Sequence, residues 1–214
     1  MKSLVFAAGI AACALPLSSA QAEIVTLGAG LARSCYEASA ERNPSPTNFD
    51  ACNRAFTEQA MDRHDRVATH VNRGILYYLS GNLAAARYDY DQALALDPMQ
   101  AEAWLDKAML ALRTGDRGSA EAMFNKALEL KTERPALAYY GKAIVNEDAG
   151  NIRQAYADLL RARDLEPHWS VPAEELKRYV VRYARLAVRA ASPCGAHAFP
   201  GLEILPFASN TANP

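Results

Sequence analysis

The sequence predicts an all-α solenoid, a stack of antiparallel helix pairs that share one continuous core. A glycine followed by Asn or Asp recurs at nearly fixed spacing: Gly81, Gly115 and Gly150 lie 34 and 35 residues apart. Helical hydrophobic patterns lie on both sides of each glycine. Small residues also recur at matching offsets from each glycine, which lets the two helices of a pair approach closely.

The first 22 residues have the pattern of a secretory signal peptide. Lys2 provides the positive start, residues 4–17 are mostly apolar, and an Ala-Gln-Ala sequence predicts cleavage after Ala22. We therefore expect a periplasmic or secreted protein. Cys13, in the sequence Ile-Ala-Ala-Cys, is the alternative, because it resembles the lipid-attachment site of a bacterial lipoprotein. The apolar run is too short for a good membrane span, and no other stretch approaches that length.

Two cysteines lie close together after the signal peptide. Cys35 and Cys52 flank a turn-forming stretch, NPSPTN at 43–48, between helical patterns at 31–42 and 49–61. Antiparallel helices joined by this turn would place the two cysteines opposite each other, at similar positions along the helix axes. A disulfide is therefore expected in an oxidising compartment, and two buried thiols are the alternative.

Helix pairs then follow one another without linkers. Residues 23–66 contain a helical hairpin that resembles a degenerate unit, and its role would be to cover one end of the stack. Three regular units follow at 67–100, 101–134 and 136–169. Pro135 is an inserted residue, and the second unit lacks a closing proline, so we expect an irregular joint at 131–135.

Each regular unit is divided in the same way. The glycine is expected to end the first helix in a left-handed turn. The residue after the glycine is Asn82, Asp116 or Asn151, and each is expected to cap the N-terminus of the second helix.

The repeat period is lost at the C-terminal end. Residues 170–191 keep a helical pattern, with Pro172 in the first turn, and predict one helix that caps the stack. Residues 192–214 are rich in proline and glycine, so we expect a flexible tail. The stretch at 199–207 is more apolar than a flexible tail requires, and docking on the body of the protein would explain this.

The recurring positions match a known repeat family. Trp104 stands fourth in its unit, small residues stand eighth, twentieth and twenty-seventh, and Pro98 or Pro167 lies near the end. This pattern resembles the tetratricopeptide repeat over residues 67–169. His70 and Tyr139 depart from the pattern, since the family often has Trp at this position. The resemblance implies a right-handed superhelix whose first helices line a concave groove.

The resemblance also implies which side chains face this groove. Most of them are apolar, which suits an extended or helical peptide with hydrophobic anchors, and Glu147 and Asp148 would form an acidic end. The family's clamp for C-terminal carboxylates uses Lys, Arg and Asn at such positions, and only Asn72 is present, so we exclude that function. The expected groove residues are Val71, Asn72, Ile75, Tyr78, Leu105, Asp106, Met109, Leu112, Tyr140 and Ile144.

Composition and motifs exclude several function classes. The formal net charge of −1 argues against nucleic-acid binding, which requires a basic excess. The histidines are dispersed, and the sequence has no phosphate-binding glycine loop, no Cys-x-x-Cys and no nucleophile elbow. We therefore expect no metal, no cofactor and no catalytic activity.

The sequence thus predicts an exported, noncatalytic scaffold that binds a protein or peptide partner through an apolar concave groove. Two alternatives stay open. One is a structural or self-occluded envelope component whose C-terminal tail fills the groove. The other is an unrecognised envelope hydrolase, which would need a confined pocket with perturbed carboxylates. The partner's identity and the oligomeric state do not follow from the sequence.

Overall fold

A computed structural model describes residues 30–183 and 202–206, and over these ranges it confirms the solenoid of helix pairs. Short turns join successive helices, so the two helices of a pair run in opposite directions. The elements are α1 (Leu31–Ala40), α2 (Pro46–Glu58), α3 (Arg63–Ser80), α4 (Leu83–Leu96), α5 (Ala101–Arg113), α6 (Arg117–Glu129), α7 (Pro135–Asp148), α8 (Ile152–Leu165), α9 (Ser170–Leu176), β1 (Tyr179–Tyr183) and β2 (Leu202–Pro206).

The helices form two layers. The first helices of successive pairs, α1, α3, α5 and α7, lie side by side. The second helices, α2, α4, α6 and α8, each pack against their own first helix and against the next helix in the chain. Large side chains of the second helices, such as Tyr90 and Phe124, are buried between the layers and form the core.

The turns inside the units are as the sequence predicts, with one exception. Gly81, Gly115 and Gly150 have φ angles of 85°, 84° and 75°, in the left-handed region. Asn82 and Asp116 each accept a hydrogen bond at 3.2 Å from the backbone N–H three residues later, which confirms them as N-caps. Asn151 makes no such bond, because its side-chain amide donates to Asn146 Oδ1 at 3.4 Å instead.

The joint at 131–135 is irregular and is held by ion pairs. Lys131 has a positive φ of 62°. Glu102 Oε1 accepts hydrogen bonds from Thr132 Oγ1 at 2.5 Å and from the backbone N–H of Glu133 at 2.7 Å. Arg134 donates to Glu102 Oε2 at 2.7 Å and to both oxygens of Asp106 at 2.9 and 2.8 Å. These contacts tie the start of α7 to α5 across the inserted residue.

A disulfide joins the two helices of the N-terminal hairpin. Cys35 on α1 and Cys52 on α2 are bonded, with their Cα atoms 4.8 Å apart, and neither residue has exposed surface. Both pack with Leu76 of α3 in one core cluster. The disulfide therefore supports the hairpin where it packs against the first regular unit.

Removing this disulfide should destabilise the protein. The bond closes a loop of 17 residues in sequence separation, for which the chain-entropy model gives about 3 kcal/mol. We expect Cys35→Ser with Cys52→Ser to lower the denaturation midpoint, measured by circular dichroism in guanidinium. A reductant should shift the wild type and leave the double variant unchanged. An unchanged wild-type midpoint after complete reduction, verified by thiol titration, would contradict this prediction.

The C-terminal end differs from the sequence prediction. The helix expected at 170–191 ends at Leu176, and residues 179–183 form β1. β1 pairs antiparallel with β2, which lies within the predicted flexible tail, so that Tyr179 is opposite Pro206. The run Tyr-Val-Val-Arg-Tyr is rich in aromatic and β-branched residues, which favour strands, and pairing satisfies the backbone groups that face the partner strand. β2 also lies beside α8.

The signal peptide at 1–22, Cys13 and most of the predicted tail lie outside the described residues. None of the helices in the described ranges combines the length and the apolar character that a membrane crossing requires.

Candidate functional site

Four of the ten expected groove residues are buried inside the stack. Leu105 has no exposed surface and Val71 only 6%, because each packs in a core cluster. Asn72 is 9% exposed, and its Oδ1 accepts a hydrogen bond from Ser39 Oγ at 2.8 Å. Asp106 is 7% exposed and belongs to the ion pairs of the joint. These four side chains therefore have little surface to offer a partner, in contrast to the exposure that the repeat pattern implies.

The other six expected groove residues are half-buried on the first helices, and we call them the first-helix stripe. Within each helix they are three or four residues apart, so they share one helical face. Because α3, α5 and α7 lie side by side, the stripe crosses all three regular units. Its members are Ile75, Tyr78, Met109, Leu112, Tyr140 and Ile144.

Arginines pair with the carboxylates at the end of the stripe that the sequence predicts to be acidic. Glu147 accepts a hydrogen bond from the Tyr179 hydroxyl at 3.0 Å and also pairs with Arg178. Asp148 pairs with Arg117. Burial raises the pKa of Tyr179, and the Glu147 carboxylate raises it further, so the hydroxyl stays protonated at neutral pH. Each of these two carboxylates therefore already has a cationic partner within the chain, and Arg178 is shared with Glu175.

Arg113 lies at the edge of the stripe, where the sequence pattern does not single it out. Its Nη1 donates to the Tyr78 carbonyl oxygen at 2.7 Å, and its guanidinium lies 4.8 Å from the centre of the Tyr78 ring. Arg113 thus joins α5 to α3. The contact could not be found from the sequence of one unit, because it requires the Tyr78 ring of the preceding unit. The only sequence signal for Arg113 is its position directly after Leu112.

Of the two stripe residues on α7, only Tyr140 carries a polar group. Burial raises the pKa of its hydroxyl, and the nearby Glu175 carboxylate raises it further. The hydroxyl is therefore neutral at physiological pH and can donate a hydrogen bond. The Tyr140 ring packs edge-on against Trp169, with the ring centres 5.1 Å apart, which fixes its orientation.

One surface cluster has the residue types of a metal site. Asp62, His64 and Asp65 offer ligand atoms within 4.8 Å of one another at the start of α3. Helix capping explains this arrangement, because Asp62 Oδ1 accepts a hydrogen bond from the Asp65 backbone N–H at 2.8 Å.

Comparison with known proteins agrees with this geometry. Family models described as tetratricopeptide repeat match residues 67–99 and 101–134, which carry the helix pairs α3–α4 and α5–α6. The chain is also 33% identical over 97 residues to a protein named "Lipoprotein NlpI homolog" from Haemophilus influenzae. This match covers 42% of the chain and 31% of that protein. The chain therefore spans less than a third of the length of this relative.

The third helix pair, α7–α8, repeats the packing of the two matched pairs. Stacked pairs of this kind provide extended surfaces for other proteins rather than enclosed pockets. The chain therefore contains tetratricopeptide repeats, and its helix pairs stack into a solenoid.

Proposed function

We propose that the protein is an exported, noncatalytic scaffold that binds a protein or peptide partner through the first-helix stripe. The observation that carries this proposal is the row of six half-buried, mainly apolar side chains across three units. These side chains keep accessible apolar surface on a rigid layer of helices, so a partner can bury it with little reorganisation. A helix or strand with regularly spaced apolar side chains fits such a row.

Two features support export. The Cys35–Cys52 disulfide is fully buried, and disulfides persist mainly in oxidising compartments. The relative from Haemophilus influenzae is named a lipoprotein. We propose a periplasmic or secreted location after cleavage at Ala22, with lipid attachment at Cys13 as the alternative.

A self-occluded component, with the C-terminal tail in the groove, has less support. β2 belongs to that tail, and it lies beside β1 and α8. Because α8 is a second helix, this placement favours a tail that packs at the end of the stack over one that covers the stripe.

Charges placed on the stripe should abolish partner capture. Met109→Asp combined with Ile144→Asp puts one carboxylate on each of two neighbouring first helices. Burying an unpaired charge in an apolar interface costs several kcal/mol, so we expect about tenfold or greater loss of captured partner. The measurement is a pull-down from envelope extract with the purified protein as bait, quantified by mass spectrometry.

The matched control is Tyr88→Asp combined with Met99→Asp. These residues are 59% and 64% exposed and lie outside the stripe, so the control carries the same added charge on other apolar side chains. It should capture the same partners as the wild type. Circular dichroism verifies that both variants are folded. Recovery of the wild-type partners by the stripe variant would overturn the proposal.

A further inference from the structure

A cleft of about 600 Å³ opens between the second helices α6 and α8, beside the start of α7. Most of its walls are apolar or aromatic, and Leu165 at its edge is 48% exposed. Clefts of roughly 300–1,000 Å³ are large enough to hold a small ligand or a large side chain. The lining residues are Leu128, Pro135, Tyr139, Arg161, Asp164 and Leu165.

The preceding unit shows which side chain fills the matching place there. Trp104 occupies the position in its unit that Tyr139 occupies in the third unit. The Trp104 indole packs against the core cluster that contains Leu94, and its Nε1 donates to the Pro98 carbonyl oxygen at 2.9 Å. Thr132 stands at the position that matches Pro98. The cleft therefore lies at the irregular joint, where a smaller ring replaces Trp and the closing proline is missing.

Arg161 provides a positive charge in the lining of the cleft, and Asp164 provides a negative one. The Arg161 guanidinium lies 5.6 Å from the centre of the Tyr139 ring, and Lys142 Nζ lies 5.8 Å from the same centre. Neither cation forms a salt bridge within the described residues, although the charge of both acts on the buried Asp158 carboxyl group. A cation held over an aromatic ring at the edge of an apolar cleft favours a ligand that carries negative charge.

The preceding unit again provides the comparison. At the matching positions, Lys126 pairs with Glu129 at 3.0 Å, so its charge is satisfied within the helix. In the third unit the corresponding carboxylate, Asp164, pairs with its neighbour Arg163 at 2.6 Å. Arg161 therefore lacks the salt bridge that Lys126 makes at the matching position, and its guanidinium lies over the Tyr139 ring at the cleft.

We propose that this cleft binds an acidic segment of a partner protein that inserts one large apolar side chain. The inserted side chain would pack against Leu128, Tyr139 and Leu165, and a flanking carboxylate would pair with Arg161. A desolvated apolar anchor next to a charge-assisted hydrogen bond is the usual composition of a binding hot spot. The cleft shares no residue with the first-helix stripe, so this proposal does not depend on the stripe.

Tyr139→Trp is the principal test, because the neighbouring unit accommodates Trp at the matching position. The probe is a fluorescein-labelled peptide with one Phe flanked by Asp residues. Two further peptides replace the Asp residues with Lys, or the Phe with Ser. Wild type should bind the acidic Phe peptide saturably below about 1 mM, and the other two about tenfold more weakly. Tyr139→Trp and Arg161→Ala should each weaken binding of the acidic Phe peptide about tenfold, measured by fluorescence polarisation.

Arg153→Ala is the matched control, since it removes one positive charge from the same helix at a distance of about 12 Å from Arg161 along the axis. It should bind the acidic Phe peptide as the wild type does. A variant lacking residues 207–214 should also bind like the wild type, and tighter binding would assign the cleft to the chain's own C-terminal segment instead. Absence of saturable binding, or equal binding by wild type and Tyr139→Trp, would overturn the proposal.

Discussion

Replacing Phe124 with alanine is expected to lower the free energy of unfolding by about 3–5 kcal/mol. Phe124 has no exposed surface and packs in the cluster that joins the second and third units. Its ring occupies the space beside Gly141, where an added Cβ would lie 2.1 Å from Phe124 Cζ. Removing the ring would open a cavity between the two units. Chemical denaturation followed by circular dichroism measures the resulting decrease in the free energy of unfolding.

The same contact predicts that the two positions are coupled. Gly141→Ala should cost about 1–3 kcal/mol or more in the wild type, because it forces the Phe124 ring to move. In a Phe124→Leu background the cost should be smaller, because leucine lacks the tip of the ring. Gly118→Ala on α6 is the control, since nothing lies within 4 Å of its added Cβ. If the changes in the free energy of unfolding caused by the substitutions at 124 and 141 were strictly additive, this account would be contradicted.

Asp89→Ala is the other substitution for which we expect a large loss of stability, about 3–5 kcal/mol. Asp89 has no exposed surface, and it accepts hydrogen bonds from Arg73 at 2.8 and 2.7 Å and from His70 at 2.9 Å. Arg73 also donates to Asn53 on α2 at 2.8 Å, and its guanidinium lies 4.6 Å from the centre of the Phe56 ring. Without the carboxylate, the partly buried Arg73 and His70 side chains lose their shared acceptor where α2, α3 and α4 meet. Thermal and urea unfolding measure the effect.

The pH dependence of this variant follows from the pKa of Asp89. Burial alone would raise that pKa, but hydrogen bonds from His70 and Arg73 outweigh burial, so it lies below the ordinary value. A carboxyl group with a depressed folded-state pKa contributes its full stability above its unfolded pKa of about 3.9. That contribution is lost as the pH falls through the folded-state pKa. The stability gap between wild type and Asp89→Ala should therefore be widest near neutral pH and should narrow below about pH 4.

Asp91→Ala is the control for the Asp89 substitution. Asp91 lies on the same helix, but its side chain is 45% exposed and pairs with Lys107 at the surface. Exposed pairs contribute roughly 0–1 kcal/mol, so this variant should remain close to the wild type. An equal loss for both variants, or a gap that does not change with pH, would contradict the role assigned to Asp89.

The regular part of the fold could be predicted because its signals are local. Gly81, Gly115 and Gly150 end the first helices in left-handed turns, and Asn82 and Asp116 cap the second helices, as the spacing indicates. The Cys35–Cys52 disulfide was also predictable, since both cysteines belong to one short hairpin.

The candidate site was only partly predictable from the repeat positions. Leu105 and Asp106 occupy positions that face the groove in the family, yet the structure buries both of them. Asp106 is buried because Arg134, 28 residues later, reaches back across the joint. A repeat pattern assigns each residue to a helical face, but the exposure of that face depends on side chains from other units.

The sequence by itself determined the helix pairs, their turns and their order, because each of these depends on residues within one unit. Only the tertiary structure decided which groove positions stay accessible, and that Tyr139 borders an open cleft where Trp104 fills the matching place. It also decided that residues 179–183 form a strand, because that strand requires pairing with residues 202–206. These outcomes depend on contacts between segments that are distant in sequence, and a pattern of period 34 does not contain them.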